Sequence, residues 1–367
     1  MTPQEQAHAI WQAGVDAVGG YVATEKALQT TSRPDCILAV GKAAAAMAQA
    51  AIACFPETPC LVVTKDGHDL GLPKSVELIE AAHPVPDARS LTAGRALRQS
   101  VEAMPAGSAL LLLVSGGASS LAEDLVEGRD LDDLTTLNKR LLAEGLDITA
   151  MNAERRKISR VKGGNLLAGF RGHRVDVLAI SDVPGDDLMV IGSGVGALPD
   201  HHDFEAHARI IASNAHAREA AAQKAATLGL EVVANSESLH QDLPTLAAHM
   251  GEQLRNMTPG VAVLGGEPTV VLPENPGHGG RNQALALALA KEIKGEENLT
   301  ILVGGTDGSD GPTNAAGGIV DGTTWSDSAE AFLIAADSGS YLAQKDALLM
   351  TGPTGTNVMD LLIAIRT

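Results

Sequence analysis

Two glycine-rich segments have the composition of anion-binding loops. Residues 115–120 read SGGASS after an apolar run, and residues 277–282 read GHGGRN before an apolar helical stretch. Glycine lets backbone N–H groups approach an anion closely, and serine hydroxyls add donors. A helix N-terminus attracts anions, and an arginine there can donate two hydrogen bonds to one carboxylate or phosphate. The residues predicted to bind an anionic substrate or nucleotide are Ser115, Gly116, Gly117, Ser119, Gly279, Gly280, Arg281 and Asn282.

Two lysines stand where a cation could meet a phosphate. Lys42, in AVGKAAA, lies where an apolar run ends and an alanine-rich helical stretch begins. It is not a P-loop lysine, because that motif requires Gly at position 36 and Ser or Thr at 43, and this chain has Cys36 and Ala43. Lys162 belongs to a basic segment that could attract an anionic substrate to this acidic protein. The members of that segment are Arg155, Arg156, Lys157, Arg160, Lys162, Arg171 and Arg174.

Carboxylates follow two apolar runs that have the composition of buried strands. Residues 181–187 read SDVPGDD and residues 307–311 read DGSDG, and neither has EF-hand spacing. Such carboxylates could hold Mg²⁺ or take a proton from a hydroxyl. Asp182 and Asp307 lie nearest the strand ends, where a rigid element holds a side chain best. We predict that Asp182 is the base or a metal ligand and that Asp307 is a facing metal ligand, with Asp186, Asp187 and Asp310 as alternatives.

Each of these patterns also has a plainer interpretation. The SGGASS segment could be an ordinary tight turn, and GHGGRN a surface loop with a solvated arginine. Lys42 and the basic segment could simply face water. Asp-Gly pairs form turns through side-chain to backbone hydrogen bonds, so both acidic segments could be turns without a catalytic role.

Apolar runs that alternate with helical patterns place these segments at the ends of strands. The predicted strands cover 36–40, 61–64, 77–81, 109–114, 175–180, 230–234, 261–264, 269–272 and 300–303. The predicted helices cover 7–22, 43–53, 91–104, 131–144, 148–158, 206–228 and 281–293. Such alternation gives βαβ units and a mostly parallel sheet, which binds ligands at the carboxyl ends of its strands. The predicted fold class is α/β, with a Rossmann-like, mostly parallel sheet domain over residues 1–250 and a smaller α/β domain over 251–367.

Composition excludes several other classes of protein. Asp and Glu outnumber Lys and Arg by 45 to 27, and the net charge of −18 repels nucleic acid and anionic membranes. The 4 Phe, 2 Trp and 2 Tyr are too few for base-stacking surfaces. The 3 cysteines lack the spacing of a zinc site or disulfide framework, which favours reduced, buried thiols. We find no signal peptide and no apolar run of membrane-spanning length, and we expect a cytoplasmic protein.

Eight motifs occur in an order that is specific to one family. They are VGKAA (40–44), HPVPDARS (83–90), LVSGGASSL (113–121), KGGNLL (162–167), SDVPGDD (181–187), LGGEPTV (264–270), GHGGRNQ (277–283) and GGTDGSDGPT (304–313). With these motifs the chain resembles the class II glycerate kinases, or glycerate 2-kinases, whose Rossmann-like domain precedes a C-terminal domain named MOFRL. It departs from that family in reading Ser193-Gly194-Val195-Gly196 instead of S-G-P-T, and Arg155-Arg156-Lys157 instead of R-K-H.

The resemblance implies a phosphotransferase. It would transfer the γ-phosphoryl group of ATP, with Mg²⁺, to a hydroxyl of D-glycerate in a cleft between the domains, giving 2-phosphoglycerate. On this hypothesis Lys42 and Arg281 bind the substrate carboxylate and the transferred phosphate, Asp182 acts in catalysis, and the 115–119 backbone and Lys162 bind anionic groups. The oligomeric state is left open, with a homodimer as one expectation.

Two other functions remain as alternatives. Some members of the family carry the label hydroxypyruvate reductase, an NAD(P)H-dependent activity. Residues 192–197 have the letters of a G-x-G-x-x-A dinucleotide fingerprint, but the turn-like sequence after them is not the helix that this fingerprint opens. The non-enzymatic alternative is a binding protein that senses an anion.

Overall fold

The chain folds into two compact units. The computed structural model describes residues 1–144 and 148–367. The parallel-sheet unit comprises Gly19–Ser213 and Gly355–Asn357, and the mixed-sheet unit comprises Met1–Val18, Asn214–Thr354 and Val358–Thr367. The sequence predicts a division after residue 250, whereas the units divide at 18/19 and 213/214. The reason is that helix α1 (Pro3–Ala17) packs on helix α8 (Asn214–Thr227), which joins both to the mixed-sheet unit.

The parallel-sheet unit is built on six strands that all run in one direction. They are β1 (Cys36–Val40), β2 (Cys60–Lys65), β3 (Glu77–Ala81), β4 (Ala109–Val114), β5 (Arg174–Ile180) and β6 (Glu205–Ala212), in the order β3-β2-β1-β4-β5-β6. The helices of this unit are α2 (Gly20–Leu28), α3 (Ala44–Cys54), α4 (Ala88–Ala103), α5 (Ala118–Leu121), α6 (Leu131–Ala143) and α7 (Ile148–Ile158). This arrangement confirms the predicted Rossmann-like parallel sheet.

The central strands of that sheet hold its carboxyl edge in place. No residue of β4 is more than 3% exposed, and Ile37 to Val40 of β1 are fully buried. Both faces of a parallel sheet are covered, so its middle strands are apolar throughout. Each fully buried Leu, Ile or Val contributes ~1.5–3 kcal/mol of transfer free energy. The loops that follow β1 and β4 therefore begin at fixed points.

The mixed-sheet unit contains a second sheet, with strands in both directions. Its strands are β7 (Val232–Glu237), β8 (Gly260–Gly266), β9 (Leu299–Gly305), β10 (Gly317–Asp321), β11 (Leu348–Leu349) and β12 (Asp360–Arg366), in the order β11-β10-β9-β12-β8-β7. The C-terminal strand β12 is antiparallel to both β8 and β9. Helices α9 (Leu243–Arg255), α10 (Arg281–Glu292), α11 (Ala329–Ile334) and α12 (Ser338–Gln344) join α1 and α8 in this unit. This unit fits the predicted α/β class.

Three predicted elements differ from the structure. The helix over 7–22 is two helices, since α1 ends at Ala17 and α2 begins at Gly20, and glycine is a poor helix former. The first part of the helix predicted over 206–228 is instead the edge strand β6. Most of its side chains are exposed or half-buried, which hides the two-residue hydrophobic period of a strand. Residues 269–272 form no strand, because Val271 is 95% exposed and Thr269 makes only an isolated bridge.

Within the described residues, no helix combines the length and the apolar character that crossing a membrane requires.

Candidate active site

The first candidate segments meet at the switch point of the parallel sheet. The order β3-β2-β1-β4-β5-β6 builds outward in both directions from β1 and β4, and ligands of such sheets bind beyond the carboxyl ends of these two strands. Lys42 follows β1, and the 115–120 loop follows β4. The Lys42 N–H donates to the Gly116 carbonyl at 2.9 Å, and the Ala43 N–H donates to Ser115 Oγ at 3.0 Å. The structure thus brings Lys42 and the SGGASS loop together.

Glycines make this close approach of the two loops feasible. Gly41 has φ +127°, and a Cβ there would overlap with Ser115 Oγ. A Cβ at Gly116 would overlap with Asp182 Oδ2, so the backbone lies directly against that carboxylate. Asp182 follows β5 and accepts a hydrogen bond from Asn357 Nδ2 at 3.3 Å. Asp182 therefore lies at the carboxyl edge of the sheet, directly against the 115–120 loop.

A pocket of about 330 Å³ lies in the mixed-sheet unit, and one of about 210 Å³ lies beside the SGGASS loop. The second pocket is lined by His83, Pro84, Pro86, Gly117, Ser119, Ser120, Asn138, Arg155 and Lys162. It joins residues from four separate stretches of the sequence: the HPVP segment, the SGGASS loop, α6 and the basic segment. We call it the switch-point pocket, because Gly117 is packed close to Lys42 and His83.

The switch-point pocket separates the basic segment into two groups. Lys162 is 2% exposed, with Nζ 2.7 Å from Glu123 Oε2, and Arg155 Nε donates to Asn138 Oδ1 at 3.0 Å. Burial lowers the pKa of Arg155, and the charge of Glu123 acts in the opposite direction. Lys157, by contrast, makes an exposed ion pair with Glu154. The interpretation as a solvated basic face thus applies to part of the segment, while Arg155 and Lys162 line the pocket.

Hydroxyl groups extend from the pocket to the segment that departs from the family pattern. Ser119 Oγ lies 2.8 Å from Ser193 Oγ, which donates to Asn152 Oδ1 at 3.0 Å. The N–H groups of Gly163 and Gly164 donate to the carbonyls of Ser193 and Gly194, both at 2.9 Å. Residues 191–194 are a 3₁₀ turn in which Gly192 and Ser193 have positive φ, so the dinucleotide fingerprint opens no α-helix.

The GHGGRN segment binds a carboxylate of its own chain. Asp310 accepts hydrogen bonds from the backbone N–H of Asn282 at 3.1 Å and of Gln283 at 2.8 Å, both in the first turn of α10. A Cβ at Gly280 would overlap with the Asp310 carboxylate. Burial raises the pKa of Asp310 to about 6, although the hydrogen bonds from Gln283 and Asn282 lower it. Ligand binding by Gly279, Gly280 and Asn282 stays a prediction.

Arg281 is held between two carboxylates of the mixed-sheet unit. Its Nε and Nη2 donate to the two oxygens of Asp360 at 2.8 and 3.2 Å, and its Nη1 donates to Glu267. Asp360 is 1% exposed, whereas the Arg281 side chain is 36% exposed. A guanidinium has five N–H donors. These three bonds leave two of them for another acceptor.

The two predicted metal ligands have different surroundings. Asp307 Oδ1 accepts from the N–H and the Oγ of Ser309 at 3.0 and 3.1 Å, which is a side-chain turn of the kind named as the plainer interpretation. Asp187 Oδ1 similarly accepts from the Met189 N–H at 2.8 Å. Asp182 and Asp307 belong to different units. Among residues 1–144 and 148–367, no group of three or more His, Cys, Asp or Glu side chains could hold a metal ion.

Sequence reasoning missed three residues around the switch point. His83 lies in the HPVPDARS motif and lines the pocket, so the motif itself was the available signal. Glu123 and Asn357 contact Lys162 and Asp182 from 39 and 175 residues away along the chain. No local pattern marks either residue.

Two family profiles match the chain. The domain of unknown function DUF4147 matches residues 6–228, and the MOFRL family matches residues 260–360. A D-glycerate 2-kinase from Thermotoga maritima is 34% identical, with 90% of each chain covered. A glycerate 2-kinase from Pyrococcus horikoshii is also 34% identical, covering 90% of this chain and 87% of the relative. A protein from Agrobacterium vitis, provisionally named hydroxypyruvate reductase, is 31% identical, covering 96% of this chain and 92% of the relative.

A solved structure has the same fold. The crystal structure of glycerate kinase from Thermotoga maritima aligns with a TM-score of 0.89 and 32% identity, over 99% of each chain. The predicted α/β architecture is therefore shared with a glycerate kinase of solved structure.

Proposed function

The chain belongs to the glycerate 2-kinase family, in which a DUF4147 domain is joined to a MOFRL domain, and we propose that it is itself a glycerate 2-kinase. It transfers the γ-phosphoryl group of ATP to the C2 hydroxyl of D-glycerate, which gives 2-phosphoglycerate and ADP. The relatives named glycerate 2-kinase support this activity. The observation in this chain that carries it is the switch-point pocket, with its two cations beside Lys42 and Asp182.

The switch-point pocket suits a small acid. Its volume of about 210 Å³ is below the ~300–1,000 Å³ of pockets for drug-sized ligands. Arg155 and Lys162 supply positive charge, and Ser119 and Ser120 supply hydroxyls that can donate or accept. A hydrogen bond to a charged group contributes ~1.5–3 kcal/mol. We assign the carboxylate and hydroxyls of D-glycerate to these groups.

Lys42, Asp182 and the 115–119 loop supply the reacting chemistry. Phosphoryl transfer depends mostly on positioning and on neutralising charge at the transferred group. The glycerate C2 oxygen forms a bond to the γ-phosphorus as the bond from that phosphorus to the bridging oxygen of ADP breaks. Asp182 takes the proton of the attacking hydroxyl, Lys42 neutralises the phosphoryl oxygens, and the backbone of Ser115, Gly116 and Gly117 binds an anionic group.

The carboxylates fit a magnesium ion that arrives with ATP. Mg²⁺ is usually held by one or two carboxylates, several waters and the phosphates of its substrate. The absence of a three-residue ligand cluster from the described residues agrees with this mode of binding. Asp307 is a proposed protein ligand of the ion, and Asp182 is another if it does not act as the base. The ion would neutralise charge on the phosphates.

Arg281 has a separate proposed role. Its two remaining N–H donors can bind an anionic group of the substrate or nucleotide, while Asp360 and Glu267 hold the guanidinium in one orientation. Binding of the nucleotide by Gly279, Gly280 and Asn282 belongs to the same proposal. Two N–H groups in the first turn of α10 donate to Asp310, which supports a positioning role for the GHGGRN segment.

One pair of assays separates the kinase from the reductase. The kinase releases ADP only when ATP and D-glycerate are both present, and ³¹P NMR of the product identifies 2-phosphoglycerate. The reductase instead oxidises NADH with hydroxypyruvate and needs no ATP. Rapid NADH oxidation without ADP release would contradict the kinase proposal. Binding of D-glycerate with neither reaction would favour the anion-sensing protein.

The thiols support a reducing, cytoplasmic location. Cys36, Cys54 and Cys60 are all free. Cys60 is buried and Cys36 is half-buried, but Cys54 is exposed, so the prediction of buried thiols is wrong for Cys54. Burial raises the pKa of Cys36 to about 11 and that of Cys60 to about 12, which keeps both thiols protonated and inert.

Sedimentation of the purified protein tests the homodimer expected from the sequence.

A further inference from the structure

A buried ion pair forms one wall of the switch-point pocket. Lys162 and Glu123 are 2% and 0% exposed, with Nζ 2.7 Å from Oε2. Moving two charges out of water is costly, and such pairs commonly stabilise a fold no better than apolar residues of similar size. The contact has the distance of an ion pair without the angles of a hydrogen bond. Its effect on Lys162 is therefore mainly that of a neighbouring negative charge.

The Glu123 carboxylate is fixed from several sides. Ser159 Oγ donates to Oε1, and the Glu123 N–H donates to the Ser90 carbonyl at 3.0 Å. Helix α4 packs against this point so closely that a Cβ at Gly94 would overlap with the Glu123 backbone. Ser159 Oγ also accepts from the Lys162 N–H at 3.1 Å. The same serine thus holds both the carboxylate and the backbone of its lysine partner.

The charges around Lys162 match a singly charged acid. The ammonium of Lys162 meets the carboxylate of Glu123, from the loop after α5, and it shares the pocket with Arg155 from α7 and His83 from the loop after β3. Glu123 offsets the charge of one of the two cations, so Glu123, Arg155 and Lys162 together carry one net positive charge. Without that carboxylate, the pocket would hold two cations with no negative charge between them, which disfavours the charged form of both.

We propose that Glu123 is a positioning residue that acts through Lys162, holding its ammonium in the pocket and directed at the carboxylate of the bound acid. This rests on the proposed function for the identity of the acid. Glu123 itself touches no substrate, because it is fully buried and does not line the pocket.

Glu123→Gln tests the proposal. Glutamine keeps the size of the side chain and can still accept from Ser159, but it removes the charge. We expect the KM for D-glycerate to rise about tenfold or more at pH 8, while the KM for ATP stays within about twofold. A buried ammonium without a counter-charge loses its proton more readily. The KM effect should therefore grow from pH 6 to pH 9, whereas the wild-type KM changes less over that range.

The neighbouring acid provides a matched control. Asp124 is 5% exposed and pairs with Arg98, but it does not line the pocket. Asp124→Asn should lower thermal stability and leave the KM for glycerate and its pH dependence unchanged. A Glu123→Gln enzyme that behaves like Asp124→Asn would overturn the proposal.

Two further variants test whether Glu123 acts through Lys162, even if Glu123→Gln does not fold. The double variant Glu123→Gln/Lys162→Met contains no unpaired buried charge, and it should have the same KM for glycerate as Lys162→Met alone. A clear additional KM increase in the double variant would show that Glu123 acts independently of Lys162. Ser159→Ala, which keeps both charges, should show a smaller KM increase that does not grow from pH 6 to pH 9.

Failure of the proposed function is distinguishable from failure of this inference. If the wild-type protein releases no glycerate-dependent ADP, the kinase assignment fails. Calorimetric titration of wild type and Glu123→Gln with D-glycerate then measures the same pH-dependent difference as binding. If wild type and Glu123→Gln bind D-glycerate with equal affinity at both pH 6 and pH 9, the role of Glu123 is overturned. It is also overturned if the wild-type protein does not bind D-glycerate.

Discussion

The two glycine-rich loops look alike in sequence and differ in what they contact. In each, a glycine makes room for a carboxylate of the chain: Gly116 for Asp182, and Gly280 for Asp310. The Asp310 oxygens accept two backbone N–H groups of α10, whereas the SGGASS loop adjoins a pocket with two cations. Glycine content therefore identifies a close approach of backbone to an anion, and the anion can belong to the ligand or to the protein.

Mutations in the two regions should therefore have different effects. Changes at the switch point should mainly lower catalysis, and changes around α10 should have a large effect on stability.

Lys42→Met should have the largest effect. Removing a cation that neutralises the transferred phosphoryl group costs about 10²–10³-fold in kcat, by analogy with the loss of one preorganised donor. We place Lys42 at the upper end because it lies at the switch point. Steady-state kinetics and thermal unfolding of the same preparation check this. Normal turnover would remove Lys42 from the reaction.

Asp182→Asn should lower kcat by about 10²-fold or more, the lower end for loss of a general base. Asparagine can still accept the hydrogen bond from Asn357, so the melting temperature should change little. If stability falls and turnover survives, Asp182 only fixes its turn. The catalytic carboxylate would then be sought at Asp186, Asp187 or Asp310.

Arg281 tests whether the second region also takes part in the reaction. Arg281→Ala leaves the buried Asp360 unpaired and should lower the free energy of unfolding by about 2 kcal/mol, less than for a fully buried pair because the guanidinium is 36% exposed. Arg281→Lys keeps the charge and should fold normally, yet it cannot reproduce the guanidinium fork and should lose much of kcat/KM. Near-normal kcat/KM in Arg281→Lys would restrict Arg281 to a structural role and sharpen the contrast between the loops.

Asp310 should give the smallest effect, visible as a pH dependence of stability. Its pKa of about 6 in the folded protein exceeds the ordinary value of 3.8, so the folded state binds the proton more tightly. The resulting stabilisation is complete below about pH 4 and is lost as the pH rises through 6. Relative to Asp310→Asn, the wild-type protein should lose about 1–2 kcal/mol between pH 4 and 7, measured by urea unfolding. Parallel stability curves for the two proteins would contradict this interpretation.

Several parts of the fold follow from local sequence. The strands 36–40 and 109–114 coincide with β1 and β4, because uninterrupted apolar runs bounded by Gly and polar residues leave little choice of element. The prediction over 77–81 coincides with β3. Two other strands were harder to predict. The exposed strand β6 resembles part of a helix in sequence, and β12 was not predicted, because this short apolar run becomes a central strand only by pairing with β8 and β9.

Local sequence by itself determined at which ends of strands the candidate segments lie. It placed Lys42, Ser115 and Asp182 after β1, β4 and β5, since strand ends are set by where an apolar run stops. Tertiary structure alone decided which charge meets which. Asp310 binds the first turn of α10, Asp360 binds Arg281, and Glu123 binds Lys162 over separations of 27 to 79 residues. These pairings depend on which residues the fold brings together and buries. The sequence alone does not distinguish an aspartate that caps a helix from one that binds a ligand.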